Sequence, residues 1–329
     1  MSRLVETLDW SKLGQVFSIT PSPKFSHAQV PLPVLRDGKV RVYFASRSHD
    51  HFGLPEAAIS SVEINEASFP DFSQGECRRL HTMKGNLGSF FDSGVMPGSI
   101  ALIGDEEVLY FTGWSRRVTV PYNLEIGCLS VREPSGLLKP RYQGPILSKA
   151  WNDPYTQAHP IVFRHNDLYR MLYQSGYGWL PGNESPEILY RIRAASSTDG
   201  INWNRSTDFA VPIVIENECQ TSPTILQVGD MYLMYFAYRA PTKFRDGGTE
   251  GYRLGAAISA DLATWRRIPD PSLTVSKTED WDSRMVTYPR FFQTTKGLFL
   301  FYCGNNFGKF GFGLAELTTR VEETLKVVV

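Results

Sequence analysis

Five stretches of this chain read alike: VPLPVLRDGKVRVYFAS (30–46), MPGSIALIGDEEVLYFTG (96–113), HPIVFRHNDLYRMLYQSG (159–176), SPTILQVGDMYLMYFAY (222–238) and YPRFFQTTKGLFLFYCG (288–304). Each opens on a proline-led apolar segment, turns on small polar residues and resumes as an aromatic and branched run. The prolines are Pro31, Pro97, Pro160, Pro223 and Pro289, spaced 66, 63, 63 and 66 residues apart. A fixed period of this kind marks a repeat architecture, in which each copy is one supersecondary unit.

The second runs, such as VRVYF (40–44), MYLMYF (231–236) and LFLFY (298–302), suit strands covered on both faces. The turns carry Asp-Gly, Gly-Asp, Asn-Asp or Lys-Gly, which tolerate hairpin backbone angles. A third segment with small residues follows every hairpin: EAAISSV (56–62), IGCLSV (126–131), RAASS (193–197), GAAISA (255–260) and GFGLAEL (311–317). Small residues there let neighbouring sheets approach closely. Two of these segments lead into STDGINW (197–203) and SADLATW (259–265). That spacing predicts a turn whose Ser and Asp side chains bond the backbone while the indole packs beneath. No helical period of useful length occurs. Short strands with regular turn punctuation indicate an all-β fold, and units of about four strands fit a propeller blade. The expectation is a five-bladed β-propeller forming a single domain over residues 1–329, its inner strands beginning near the five prolines. The segment before residue 20, or the tail TTRVEETLKVVV (318–329), is expected to supply a ring-closing strand.

Composition narrows the function. Of 329 residues, 42% are hydrophobic and 13% aromatic, enough for a large core. Thirty-four Lys and Arg balance 34 Asp and Glu without a basic cluster, which counts against nucleic acid or an anionic membrane as the main partner. No apolar stretch reaches membrane-spanning length, and MSRLVETLDWSKLGQ lacks a signal-peptide core, so a cytoplasmic protein is expected. Cys77, Cys128, Cys219 and Cys303 are scattered and are expected to be reduced.

A proline cannot donate to a strand ladder and fits best at a strand's start. The residues just before each proline are therefore expected to face one funnel. Five positions before the prolines lie Ser26, Asp92, Tyr155, Glu218 and Arg284. Nearer stand His27 and Gln29, Gln157 and His159, Gln220, and Tyr288. Asp92 and Glu218, equivalent in blades two and four, are candidate acid and base for a glycosidic bond. Arg284 would keep Glu218 ionised, or grip a carboxylate or phosphate on the ligand. His159 and His27 are candidates for proton transfer or for bonding sugar hydroxyls. Two histidines without further ligands make a poor metal site, so no metal or cofactor is expected. Trp114 and Trp179, after strand runs, offer flat faces for sugar rings, and Arg239, after MYFAY, is a further candidate for the ligand surface. The expected partner is a small molecule or an oligosaccharide.

With its five proline-led hairpins, YxxYF-like second strands and the S-x-D-L-x-x-W element at 259–265, the chain resembles the five-bladed propeller glycoside hydrolases. That grouping includes families 32, 43, 68, 117 and 130, and the resemblance covers essentially the whole chain. It implies the fold and a carbohydrate-active function. Family-43 enzymes carry Asp just before the proline in blades one and three and Glu two before it in blade four. Here those positions hold Val30, His159 and Thr221, and the Asp often found after the blade-two proline is Gly98. Glu218-Cys219 is similar to part of the Glu-Cys-Pro motif of family 32, but no proline follows. The departures keep two alternatives beside hydrolysis: a non-hydrolytic sugar-binding propeller, and a cytoplasmic biosynthetic enzyme acting on an activated or anionic sugar.

Overall fold

The computed structural model describes residues 8–79, 85–132, 135–182, 185–245, 247–321 and 323–328. Strand β1 (Trp10–Ser18) precedes five proline-led units. The first runs β2 (Ser26–Arg36), β3 (Lys39–His49), β4 (Pro55–Asn65) and β5 (Glu76–Arg79). The second runs β6 (Gly94–Ile103), β7 (Glu106–Arg116), β8 (Tyr122–Arg132) and β9 (Leu137–Pro140). The third runs β10 (Gln157–His165), β11 (Leu168–Leu180), β12 (Glu187–Ser197) and β13 (Asn204–Phe209). The fourth runs β14 (Cys219–Val228), β15 (Met231–Arg239), β16 (Arg253–Ser259) and β17 (Arg266–Ile268). The fifth holds β18 (Thr287–Thr294), β19 (Gly297–Cys303) and β20 (Gly311–Leu317), and the chain ends in β21 (Leu325–Val328).

Within every unit consecutive strands pair antiparallel, as the hairpin turns require. The fifth unit is completed by β1, which pairs with β20. The tail strand β21 pairs with the far end of β14 instead. Both segments anticipated for closure are thus used, at different places.

The five proline-bearing strands touch in a closed cycle: β2 on β6, β6 on β10, β10 on β14, β14 on β18 and β18 on β2. The core divides the same way. Five main hydrophobic clusters lie between units one and two, two and three, three and four, four and five, and five and one. The fold is an all-β propeller, and its five-fold closure follows from apolar residues on both faces of each sheet. Between units five and one, Phe69, Phe72, Phe299, Phe301 and Phe312 pack edge to face at centroid distances of 4.9–6.2 Å. Such ring pairs add to the area they bury.

The Ser-Asp turns form as the spacing predicts. Asp199 Oδ1 accepts from the Ile201 and Asn202 amides at 2.8 Å, and Ser197 Oγ accepts from Gly200 at 2.8 Å, while Trp203 packs on Tyr110. Asp261 and Ser259 repeat the arrangement over Trp265. Among the described residues no helix is long and apolar enough to cross a membrane. All four cysteines are free.

Candidate functional site

Every proline disturbs the pairing of its strand. The register shifts between Gln29 and Leu32, Pro97 and Ser99, Ala158 and Ile161, Thr221 and Thr224, and Thr287 and Arg290. Four of the five residues immediately before a proline have left-handed backbone: Val30 (φ 53°), His159 (φ 49°), Ser222 (φ 51°) and Tyr288 (φ 55°). That region is costly for residues with a Cβ, and bulges re-aim side chains. The result is a cavity of about 390 Å³ at the start of the inner strands, faced by Met96, His159, Thr221 and Tyr288. The far ends of the second strands supply Arg47, Trp114, Arg116, Gln174 and Arg239. Outer segments add Tyr122, Glu187, Tyr190, Phe244, Arg245 and Tyr252.

The cavity is cationic. Arg47 gives its Nε–H to Gln29 Oε1 at 2.7 Å. Gln29 in turn gives an N–H to the Tyr288 hydroxyl at 3.4 Å, so this buried amide orients two cavity side chains. Arg239, 1% exposed, donates to the Tyr190 and Tyr252 hydroxyls at 2.9 and 3.2 Å and to the Ala240, Pro241 and Ile188 carbonyls. Its guanidinium lies 3.7 Å from the Phe244 centroid. Neither Arg47 nor Arg239 pairs with a carboxylate among the described residues. Glu187 is the one carboxylate on the described wall, and it is bonded to Arg245.

His159 forms part of the floor. Its backbone N–H donates to Thr112 Oγ1 at 2.8 Å, and its ring lies 5.5 Å from that of Tyr288. Burial, and then the charge of Arg290, push its pKa from 6.5 down to about 4, so the imidazole is neutral at neutral pH. Nδ1 is buried without a partner among the described residues. Arg290 reaches across the channel from β18 to the Gly98 carbonyl of β6 at 2.6 Å. A Cβ at Gly98 would meet the Pro160 carbonyl oxygen at 2.6 Å, so glycine there admits the neighbouring strand. At this position the channel holds a bare backbone and an arginine.

The remaining anticipated residues lie elsewhere. Asp92 accepts from the Gly88 amide at 3.0 Å and the Ser93 hydroxyl at 2.9 Å, holding its own loop. Glu218 is fully buried; it pairs with Arg267 at 2.8 Å and accepts from Gln220 Nε2 at 2.9 Å and the Val214 amide at 3.1 Å. Neither carboxylate lines the cavity. Gln220 and Gln157 lie outside the lining and give amide N–H groups to the Pro212 and Asp153 carbonyls respectively. His27 meets Ser26 Oγ at 2.8 Å behind the wall, and burial pushes its pKa to about 3. Arg284 is exposed, outside the lining. Trp179 sits in an adjoining groove of about 420 Å³ with Tyr155, Arg117 and Lys149, its ring 5.6 Å from Tyr122, which borders both spaces.

The structure therefore gathers His159, Trp114, Arg239 and Tyr288 from the anticipated set, with Gln29 in support. Sequence reasoning missed Arg47, Arg245, Tyr122, Tyr190, Tyr252 and Glu187. Arg47 had a signal: it stands three residues after the aromatic of its second strand, as Trp114 and Arg239 do in theirs. Among the described residues no group of three or more His, Cys, Asp or Glu is placed to hold a metal ion.

No protein-family model matches the chain. Among solved structures, a glycoside hydrolase superposes with a TM-score of 0.70 at 17% identity, over 95% of both proteins. A thermostable family-43 glycoside hydrolase superposes with a TM-score of 0.64 at 13% identity, over 94% of this protein and 95% of that one. An alpha-L-arabinofuranosidase from Lactobacillus brevis gives a TM-score of 0.65 at 10% identity, over 92% and 94%. The fold is that of the propeller glycoside hydrolases. Two Mycobacterium tuberculosis proteins, Uncharacterized protein Rv1502 of strain H37Rv and Uncharacterized protein MT1551 of strain CDC 1551, are 32% identical over 315 residues. The match spans 94% of this chain and 99% of each relative, and the chain belongs to the family of these two mycobacterial proteins.

Proposed function

We propose that the protein is a carbohydrate-binding propeller that receives a glycan in its central cavity and does not cleave it by a paired-carboxylate mechanism. The observation that carries this reading is the wall itself. Trp114, Tyr122, Tyr190, Tyr252 and Tyr288 supply aromatic and hydroxyl surface, whereas Glu187 is the only described carboxylate and is held by Arg245. Glycosidic cleavage of the usual kind needs an acid and a second carboxylate on opposite sides of the bond. The volume of about 390 Å³ falls within the range of small-molecule sites. The fold shared with glycoside hydrolases supports a carbohydrate ligand, by analogy of architecture.

The test is a glycan panel, with binding followed by calorimetry and product by mass spectrometry. Saturable binding without product after long incubation is expected, and W114A should weaken it about tenfold. Rapid turnover would overturn the non-hydrolytic part, and indifference to every glycan would overturn the whole. One observation favours a second reading. His159 is neutral and its Nδ1 unpartnered at the cavity floor, which suits a proton-accepting group in a glycosyl reaction. Turnover abolished by H159Q, with binding retained, would select that reading.

A further inference from the structure

Arg47 and Arg239, without a carboxylate partner among the described residues, carry an inference that rests on the glycan reading above. We propose that the bound glycan is anionic, bearing an oxyanion of phosphate or carboxylate type that Arg47 holds in front of the Arg239–Tyr190–Tyr252 cluster, with Arg245 nearby.

Arg47 is the first reason. Its Nε–H is committed to Gln29, yet neither terminal nitrogen has an acceptor among the described residues, and both belong to a cavity-lining side chain. A guanidinium presents a planar fork matched to two oxygens of a phosphate or carboxylate. Burial disfavours the charge of Arg47, and the like charge of nearby Arg245 adds to this. A cation taken from water without a counter-charge is costly, and an anion on the free fork of Arg47 would offset the burial that is the main cause disfavouring its charge.

The second reason is a count of hydrogens. Arg239 Nε–H is shared between the Tyr190 and Tyr252 hydroxyls, which also bond each other. One hydroxyl proton serves that mutual bond. The other has no acceptor among the described residues and belongs to a cavity-lining ring. Burial pushes the Tyr190 pKa well above its usual value, so the phenol remains a donor. Backed by Arg239, that free O–H suits an anionic acceptor. Glu187 does not fill the need, because Arg245 already holds it. The groove of Trp179, Tyr155, Arg117 and Lys149 gives the neutral part of the glycan a place to stack beyond Tyr122.

The experiment uses the full chain and matched sets of glucose, galactose and mannose probes. Each set comprises the 1-phosphate, the uronate and the methyl glycoside, and inorganic phosphate is titrated alongside. Calorimetry at low and moderate salt is expected to show an anionic member binding at least about tenfold tighter than its methyl glycoside. The preference should shrink with salt. R47Q should remove it, while R47K retains charge without the fork and falls between. Should R47Q lower the thermal midpoint, R245Q tests the same preference at the neighbouring arginine. The phosphate and uronate arms separate the two oxyanion sources. Equal affinity for neutral and anionic members overturns the inference and leaves the glycan reading standing. Inorganic phosphate bound through Arg47, with every sugar ignored, upholds the oxyanion site and overturns the glycan reading. Silence towards all probes overturns both.

Discussion

His159 and Arg290 set the electrostatics of the channel floor. Gly98 offers its carbonyl to Arg290, whose pKa burial pushes down to about 10. That charge helps to keep His159 neutral. R290M is therefore expected to raise the His159 pKa from about 4 towards, without reaching, its ordinary 6.5, because burial is the larger cause. A histidine NMR titration reads this directly, and an unchanged midpoint would show that Arg290 does not act on the ring. The sign for stability follows from linkage. Both His159 and His27 titrate lower in the folded chain than unfolded, so the stability they permit is complete above about pH 6.5. It falls as pH drops towards about 4 and 3, by up to about 1.4 kcal/mol per pH unit for each ring. Urea unfolding at pH 7 and pH 5 should differ accordingly, and H159Q should flatten part of the slope. This level of the site was the least legible in the sequence. Proline marks the start of an inner strand, but nothing in Val30, His159, Ser222 or Tyr288 announces a left-handed backbone. The bulges leave His159 and Tyr288 facing the cavity, with Thr221 in place of Ser222 and Val30 in the core, whereas Asp92 and Glu218, five positions before their prolines, serve a loop and an ion pair.

At the scale of elements the sequence was far more readable, because strand and turn chemistry are local. The hairpin turns, the aromatic second strands and the Ser-Asp turns all needed only neighbouring residues to be recognised. Asp199 and Asp261 each accept two backbone amides at 2.8 Å, so each closes its turn much as a helix cap closes a first turn. Both lie at exposed positions, and solvent tempers what they contribute. D199A and D261A should each destabilise by about 1 kcal/mol, on the scale of a lost cap. Because the two turns lie in different units, the double variant should show additive losses in urea unfolding. A change below a few tenths of a kcal/mol would show that the amides find equivalent bonds to water. Between units the contacts are aromatic and long-range, and here composition foretold the kind of core but not its partners. Phe301, fully buried, touches Phe69, Phe72, Phe292 and Phe312 from different parts of the chain. F301A should cost about 3–5 kcal/mol, the range for a buried aromatic cut to alanine in a close-packed site.

Over the whole molecule, closure depends on strands drawn from both ends of the chain, β1 pairing with β20 and Asp9 bonding Thr318 and Thr319. The fifth unit takes β18, β19 and β20 from residues 287–317 but its outermost strand from residues 10–18, so the ring is fastened by a hydrogen-bonded ladder. Trp10 makes that fastening more than a ladder. It is 8% exposed, its indole N–H donates to Tyr235 of the fourth unit at 3.1 Å, and its ring lies 5.9 Å from Phe291. Phe17, from the other end of β1, packs 5.0 Å from Phe312 and 5.5 Å from Phe44 of the first unit. One strand thereby ties three units, whereas β21 pairs briefly with β14 and packs Leu325, Val327 and Val328 at the margins of two cores. Deleting residues 1–18 should accordingly abolish cooperative folding, since it opens two inter-unit cores at once. Deleting residues 321–329 should leave a folded propeller with a lowered thermal midpoint. W10A, which keeps the ladder and removes the anchor, should fall between, losing about 3–5 kcal/mol in urea unfolding. These three variants separate the contributions cleanly, because strand pairing without side-chain burial rarely sustains a sheet. A chain lacking residues 1–18 that still melted in one sharp transition near the parent midpoint would show that the five inter-unit cores hold the ring without its clasp.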